Sequence, residues 1–492
     1  MVCRALGFLP LAAYLLALAL PLAYLPLRAL EGGAGPVPWR VLGLTLGLGL
    51  AVVLFAFLLA FPLAWLRAAS DYPAKRLLDW LVVLPLALPG YVVAYAWLSL
   101  GGRGGILPRF EGFWGAWWVL SLYTFPYLYL GLKNAFCSLD ASLFEAARSL
   151  GERPFFAWRR VVLPLILPAA AASGLVVFLH VLADFGVVAL MHYPTFSYAI
   201  YLAYETGFDR ARAAWLALWL LGLVVLVLVA EGRLGRPRPP TRPVRPWGVR
   251  LGRWQLLAHF YVALVALVAL VLPLGILVYW VRQGAGGRSF LALGPALLGS
   301  VSAALPAAAL AAALALWLGY LIWRYPGQGL WARAAYLGYA VPPVALALSM
   351  IFFSLRAAPF LYQTLFLLIY AYTLHFLAEA LAPVRAAYAG IPVHLFEAAR
   401  TLGERPFGAW RRAVWPQLVG GGLAGGLLVF LAAIKELPMT LLLAPIGFTT
   451  LAIETWGRVE EGLFAQAAPF ALALVLLAGL VAGGVAGFWR RI

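Results

Sequence analysis

Four ionisable side chains stand inside long apolar runs. FLHVLADFGVVALM carries His180 and Asp184, and FLAAIKELPMTLLL carries Lys435 and Glu436. An acid in hydrocarbon costs about 2.5 to 3.5 kcal/mol on insertion scales, so it must face a partner or water. Two chemistries meet that demand. Lys435 can pair with Asp184 or Glu436 in an ion pair that serves packing alone, or the charges can line or gate a substrate path. Asp184 and Glu436 are 252 residues apart, so the acid position occurs twice. Enzymatic chemistry has little to stand on. No paired catalytic constellation or metal-ligand spacing appears, and Cys3 and Cys137 form no CxxC or Cys/His cluster. A phosphate cradle needs G-x-x-x-x-G-K-[ST], and none of the three lysines, Lys75, Lys133 and Lys435, follows a glycine. The chain is expected to catalyse nothing and to bind no cofactor itself.

The same period organises the whole chain. FEAARSLGERPFFAWRRVVLP, Phe144 to Pro164, returns as FEAARTLGERPFGAWRRAVWP, Phe396 to Pro416. The copies differ only at Ser149/Thr401, Phe156/Gly408, Val161/Ala413 and Leu163/Trp415. A repeat of this length is a duplicated half-chain and not a solenoid unit.

With 65% hydrophobic and 11% charged residues, the chain is a polytopic membrane protein, since a soluble domain carries about a quarter charged residues. A net charge of +18 invites a nucleic-acid reading, but the basic residues are spread along the chain as positive-inside loops require. At about 20 apolar residues per span, the sequence predicts an all-α fold of about twelve transmembrane helices. They run over 6–29, 41–66, 77–100, 113–136, 161–191 and 213–230, then 256–281, 291–323, 331–355, 360–381, 413–445 and 464–489. The first span follows Arg4 and lacks a small-residue cleavage site before Glu31, so it is expected to stay as a helix. Placing both termini in the cytoplasm puts 25 of the 36 basic residues inside, together with both repeated segments. Six spans per half make the halves parallel repeats, 1–230 and 255–492, joined by a cytoplasmic linker, 231–254. Pro237, Pro239, Pro240, Pro243 and Pro246 stiffen that linker. It reads as a tether fusing the halves; its arginines also suit anionic membrane lipid.

Within each repeated segment the sequence predicts a short helix, about 143–150 and 395–402. Ser142-x-x-Glu145 reads as a capping box, and Gly151 as the left-handed residue that ends the helix. Leu143, Phe144, Ala147 and Leu150 form an apolar ridge beside Arg148, repeated by Leu395, Phe396, Ala399 and Leu402 beside Arg400. His394 stands where Ser142 does, so the second start is expected to be weaker. Two matched apolar knobs suit a two-fold symmetric partner. Elsewhere Pro89-Gly90 and Pro342-Pro343 interrupt corresponding spans, either as ordinary kinks or as breaks beside a transport path. Gly420 to Gly426 is expected to allow close helix packing. Asp184, about 30 Å beyond Pro164 if all helical, belongs nearer the outer mouth than the midplane.

The pattern E-A-A, three residues, G, nine residues, I-x-L-P resembles the cytoplasmic signature of ABC importer permeases of the type I fold, the binding-protein-dependent inner membrane components. Glu145, Ala146, Ala147, Gly151, Leu163 and Pro164 match it, with Val161 for Ile; Glu397, Ala398, Ala399, Gly403 and Pro416 match, whereas Ala413 and Trp415 depart. The resemblance implies that these short helices couple the chain to two separate ATP-binding cassette subunits, which would hold ATP and Mg. It further implies a periplasmic or lipid-anchored binding protein meeting the outer loops, Tyr193 to Arg212 and Gly447 to Gly462. Phe144, Glu145, Ala146, Ala147, Arg148 and Gly151, with Phe396, Glu397, Ala398, Ala399, Arg400 and Gly403, are then the coupling residues. No nucleic-acid partner is implied.

The segments Leu182 to Ala217 and Lys435 to Trp456 are similar to those of fused, two-half ferric-iron permeases. That likeness makes Asp184, Glu436, Lys435, His180, Tyr198 and Tyr201 candidates for the substrate path. Ferric iron is a hard cation that prefers oxygen ligands, whereas the tyrosines alone equally suit an aromatic belt. Fused permeases for thiamine and phosphonates share the architecture, and an ion-coupled secondary transporter of six plus six helices is the alternative from another class.

Overall fold

The structure is a computed structural model that describes residues 2–33, 35–101, 110–233, 248–284, 287–324 and 336–489. The linker prolines from Pro237 to Pro246 lie outside the described residues. In chain order the main helices are α1 (Val2–Glu31), α2 (Trp39–Ala69), α3 (Lys75–Val83), α4 (Gly90–Leu98), α5 (Gly112–Cys137), α6 (Ala141–Ser149), α7 (Leu163–Ala183), α8 (Gly186–Leu190), α9 (Phe196–Glu205) and α10 (Arg210–Arg233). There follow α11 (Gln255–Ala266), α12 (Leu272–Gly284), α13 (Gly287–Arg324), α14 (Pro343–Ala357), α15 (Leu365–Ala389), α16 (Val393–Thr401), α17 (Trp415–Lys435), α18 (Pro438–Leu443), α19 (Leu451–Glu460) and α20 (Phe464–Trp489).

The described residues do not reach a count of twelve full spans. Among the described residues nine helices are long and apolar enough to cross a membrane, or ten if α3 and α4 count as one span bent by 88°. The bend falls at Leu88 and Pro89: Leu88 is extended because a residue before proline disfavours helix, and Pro89 caps α4, itself extended. Pro342 does the same ahead of α14, whose 15 residues make it a short apolar helix. Two other expected spans end early. The runs 161–191 and 413–445 stop as long helices at Ala183 and Lys435, and the chain restarts in the short α8 and α18.

The described residues form two compact units. One comprises 37–199 and 222–282, the other 1–36, 200–221 and 283–492. These units cut across the sequence repeat: α1 packs with the second half's helices, and α11–α12 with the first half's. The reason is visible in α1, whose buried Tyr14, Leu18, Leu25 and Ala29 recur at helical spacing along one stripe and leave Leu16, Leu20 and Leu27 exposed. Tyr14 donates to the Leu374 carbonyl at 3.3 Å, and Tyr370 to that of Ala17 at 2.9 Å, tying α1 to α15. In the other unit Tyr261 of α11 donates to the Leu59 carbonyl of α2 at 3.0 Å.

Between helices in lipid, association rests on close packing. In the second unit a Cβ at Gly421 would lie 2.7 Å from the Ala387 Cβ, and one at Gly425 would lie 2.7 Å from the Ala380 carbonyl oxygen, so α17 meets α15 backbone to backbone. In the first unit α5 supplies the small residue instead: Gly131 faces Ser173 of α7. Elsewhere on α5, Phe55 of α2 packs at a tilt, 4.6 Å from Trp117, whose indole donates to the Ala51 carbonyl at 3.1 Å.

Candidate functional site

The repeated segments adopt one geometry twice. α6 and α16 both begin two residues earlier than the sequence predicts, and in α6 Asp140 and not Ser142 is the cap: its carboxylate accepts from the Ser142 amide at 2.9 Å. The amide that the capping box assigns to Glu145 is thus already paired. α16 is preceded by Pro392, which offers no side-chain cap. The two starts are therefore unequal through Asp140 and Pro392, whereas the sequence places the inequality at Ser142 and His394. An N-cap is worth about 1 kcal/mol.

The ends are alike. Gly151 and Gly403 have φ of 88° and 90°, the left-handed region where a side chain would be strained. The Glu152 amide donates to the Ala147 carbonyl at 3.2 Å and the Gly151 amide to that of Arg148 at 3.1 Å, a Schellman pair reproduced at Glu404–Ala399 and Gly403–Arg400. Arg148 donates to the Glu152 carbonyl at 2.6 Å, and Arg400 to that of Glu404 at 2.7 Å. Glu152 then pairs with Arg160, and Glu404 with Arg412. A wider π-type turn follows in both copies, Trp158–Val162 and Trp410–Val414.

The apolar ridge is divided. Phe396 is buried and Phe144 half-buried, so both turn inward, and Ala147 and Ala399 are half-buried. Leu150 and Leu402 stand 85% and 86% exposed, with Leu143, Leu395, Glu145, Glu397, Ala146 and Ala398 also exposed. The outward face is thus an acid, an alanine and two leucines per copy. Arg324 at the end of α13 steadies the second copy, 3.9 Å from Glu397 and 5.8 Å from the Phe396 ring. Trp323 adds a 2.8 Å bond to the Ile391 carbonyl.

The intramembrane acids sit at the helix breaks. Asp184 follows α7, accepting from the Val187 amide at 2.9 Å and from the Tyr123 hydroxyl at 2.8 Å. Glu436 follows α17, with one oxygen accepting from the Met439 amide and the other from the Thr440 amide, each at 3.0 Å. A helix restarting in a protein interior exposes amides without intrahelical partners, each costing several kcal/mol in hydrocarbon, and a carboxylate is a strong acceptor for them. This accounts for the recurrence of an acid at the repeat period. The next helices are also held alike: Thr45 of α2 accepts from the Phe196 amide at 3.1 Å, and Ser300 of α13 from the Leu451 amide at 2.8 Å.

Lys435 has a partner that sequence reasoning missed. Its charge acts on Glu379 of α15, and both side chains are half-buried. Residue 127, one repeat period before Glu379, is a tyrosine, and Tyr127 lies 2.9 Å from Nε2 of His180. Both halves therefore place a polar pair between corresponding helices, by different chemistry. The available signal was an acid inside the apolar 365–389 run, at the repeat mate of Tyr127. Tyr198 and Tyr201 are half-buried on α9, with the Tyr198 ring 6.5 Å from His192. A second missed cluster is Asp79, which accepts from Arg67 at 2.6 Å, Tyr129 at 2.6 Å and Lys133 at 3.1 Å. Among the described residues no three His, Cys, Asp or Glu side chains gather as a metal site.

Residues 60–234 match the family model described as binding-protein-dependent transport system inner membrane component. Over 494 residues the chain is 31% identical to the Fe(3+)-transport system permease protein FbpB 2 of Haemophilus influenzae, covering 94% of each. It is 29% identical to the molybdenum transport system permease protein ModB of Escherichia coli K12, over 40% of this chain and 93% of that one. A probable molybdenum ABC transporter permease protein of Haloferax volcanii is 31% identical over 37% of this chain and 70% of its own. Paired helices of one geometry, a membrane body of long apolar helices and likeness along nearly the whole chain agree: this protein belongs to the binding-protein-dependent transport system inner membrane components, the permease subunits of ABC transporters.

Proposed function

We propose that the chain carries ferric iron inward across the cytoplasmic membrane, driven by two separate ATPase subunits that bind ATP and Mg. The observation that carries the substrate is extent: the ferric-iron relative matches 94% of the chain, whereas the E. coli molybdenum relative matches 40%. α6 and α16 are the coupling helices. Each ATPase subunit takes one, seating the exposed Leu143 and Leu150, or Leu395 and Leu402, beside Glu145 or Glu397. Matched helix ends support this assignment, since a two-fold symmetric motor needs two equivalent handles. Both termini and the linker then lie in the cytoplasm, and a binding protein delivers iron to the opposite face. Swinging a gate from about 1:99 to 99:1 takes roughly 5.5 kcal/mol of differential binding, which closure of an ATPase dimer supplies.

Asp184 and Glu436 fix the helix breaks that shape the path, and Lys435, His180, Tyr198 and Tyr201 set its polarity. Radioactive iron uptake into proteoliposomes holding the permease, its ATPase and an iron-loaded binding protein tests the reading. ATP-dependent iron uptake with no molybdate uptake is the expected result. Uptake by the chain alone, driven by an ion gradient, would replace the ABC reading with a secondary transporter.

A further inference from the structure

α1, the end of α14 and the start of α10 border an open 310 Å³ cavity within the unit that contains residues 1–36. Arg28, Arg210 and Arg356 line it with one carboxylate, Glu31, and with Leu27 and Leu355. Glu31 pairs with both Arg28 and Arg356. Glu31 is the one acid in a lining that holds three guanidinium groups, which leaves the lining two formal positive charges. The Nε of Arg28 is buried with no hydrogen-bond partner. A buried donor without a partner is destabilising, and an incoming acceptor would relieve that cost.

The cavity's place in the unit is set by α15. Tyr14 and Tyr370 fix α1 beside α15 so that residue 17 lies by 370 and residue 14 by 374; Arg28 therefore lies toward the Leu365 end. α16 begins just beyond the Ala389 end, and the 25 residues of α15 span about 37 Å. The cavity is at the end of this unit remote from the coupling helix. Leu27 and Leu355 are 52% and 39% exposed and present an apolar flank beside the charges.

We propose that this cavity binds a phosphate group, with Arg28, Arg210 and Arg356 as donors and Glu31 as the internal anion that it displaces. Guanidinium forks match the oxygens of phosphate in pairs, and several around one cavity are required to hold it against water. Two sources share this chemistry: the headgroup of an acidic phospholipid, whose chains would follow Leu27 and Leu355, and free phosphate.

The full chain in phosphatidylcholine nanodiscs, without ATPase or cargo, is titrated with inorganic phosphate by calorimetry. In parallel, phosphatidylglycerol retention is counted by native mass spectrometry. Saturation at one phosphate or one phosphatidylglycerol per chain is expected, and the probe that saturates identifies the source. Arg28→Gln and Arg210→Gln should each weaken binding about tenfold or more, the loss of a charge-assisted bond. Glu31→Gln should tighten it, a sign that a merely structural ion pair would not give. No saturable binding of either probe, an unchanged Arg210→Gln or a weakened Glu31→Gln overturns the proposal. Because ATPase and cargo are absent, such a failure leaves the transport reading standing.

Discussion

Replacing Glu436 by Gln removes the charge that two backbone amides share at the start of α18. In the native protein the Met439 and Thr440 amides each donate to a separate carboxylate oxygen at 3.0 Å, and the side chain is only 7% exposed. A hydrogen bond to a charged group contributes about 1.5–3 kcal/mol, and an amide left buried and unpaired costs about 1–3 kcal/mol. Gln keeps one oxygen, so one bond survives in neutral form while the other amide meets an NH2 group. The expected loss of unfolding free energy is about 3 kcal/mol. Asp184→Asn should cost less, about 1–2 kcal/mol, because one backbone amide and the Tyr123 hydroxyl are involved. Unfolding of the purified chain in mixed micelles, followed against SDS fraction, reads both. Equal stability of Glu436→Gln and the native protein would refute the capping argument and return the acid to a role in transport alone.

Asp79→Asn weakens a part-buried cluster with Arg67, Lys133 and Tyr129 and should cost about 2 kcal/mol in the same titration. Gly425→Val drives a side chain toward the Ala380 carbonyl and should cost about 1–3 kcal/mol by overpacking, with assembly on a sizing column lost first if α15 and α17 part. Gly151→Ala strains a φ of 88° and should lower stability by about 1 kcal/mol while loosening α6, seen as faster amide exchange over 141–149. Glu145→Ala and Glu397→Ala should leave the chain folded but reduce substrate-stimulated ATP hydrolysis; normal stimulation in both would make the glutamates incidental to coupling.

The repeat, the all-helical membrane class and the glycine-ended short helices are legible in the sequence because each rests on local rules: apolar length, a period of 252, and glycine where φ is positive. Helix continuity is less legible. The runs through Asp184 and Glu436 are apolar enough to read as single spans, yet both stop there, and only the later amide bonds show that the acids serve the restarting helices. Partners across helices are the least legible. Lys435 is one residue from Glu436 in sequence but acts on Glu379, because register between α15 and α17 decides the match and no local pattern records it. The exchange of α1 and α11 between repeats is hidden for the same reason: a one-sided apolar stripe does not name the surface that will cover it.

Whether α6 and α16 each seat one ATPase subunit is read most directly by cross-linking. In a background with Cys3 and Cys137 changed to serine, Leu150→Cys and Leu402→Cys are introduced singly and together, labelled with a short reagent that is thiol-reactive at one end and photoactivated at the other, and the reconstituted complex is irradiated. One ATPase adduct per chain is expected for each single variant, two for the double, and a change in yield when ATP is added. Absence of adducts at both positions in a complex that still transports would contradict this seating.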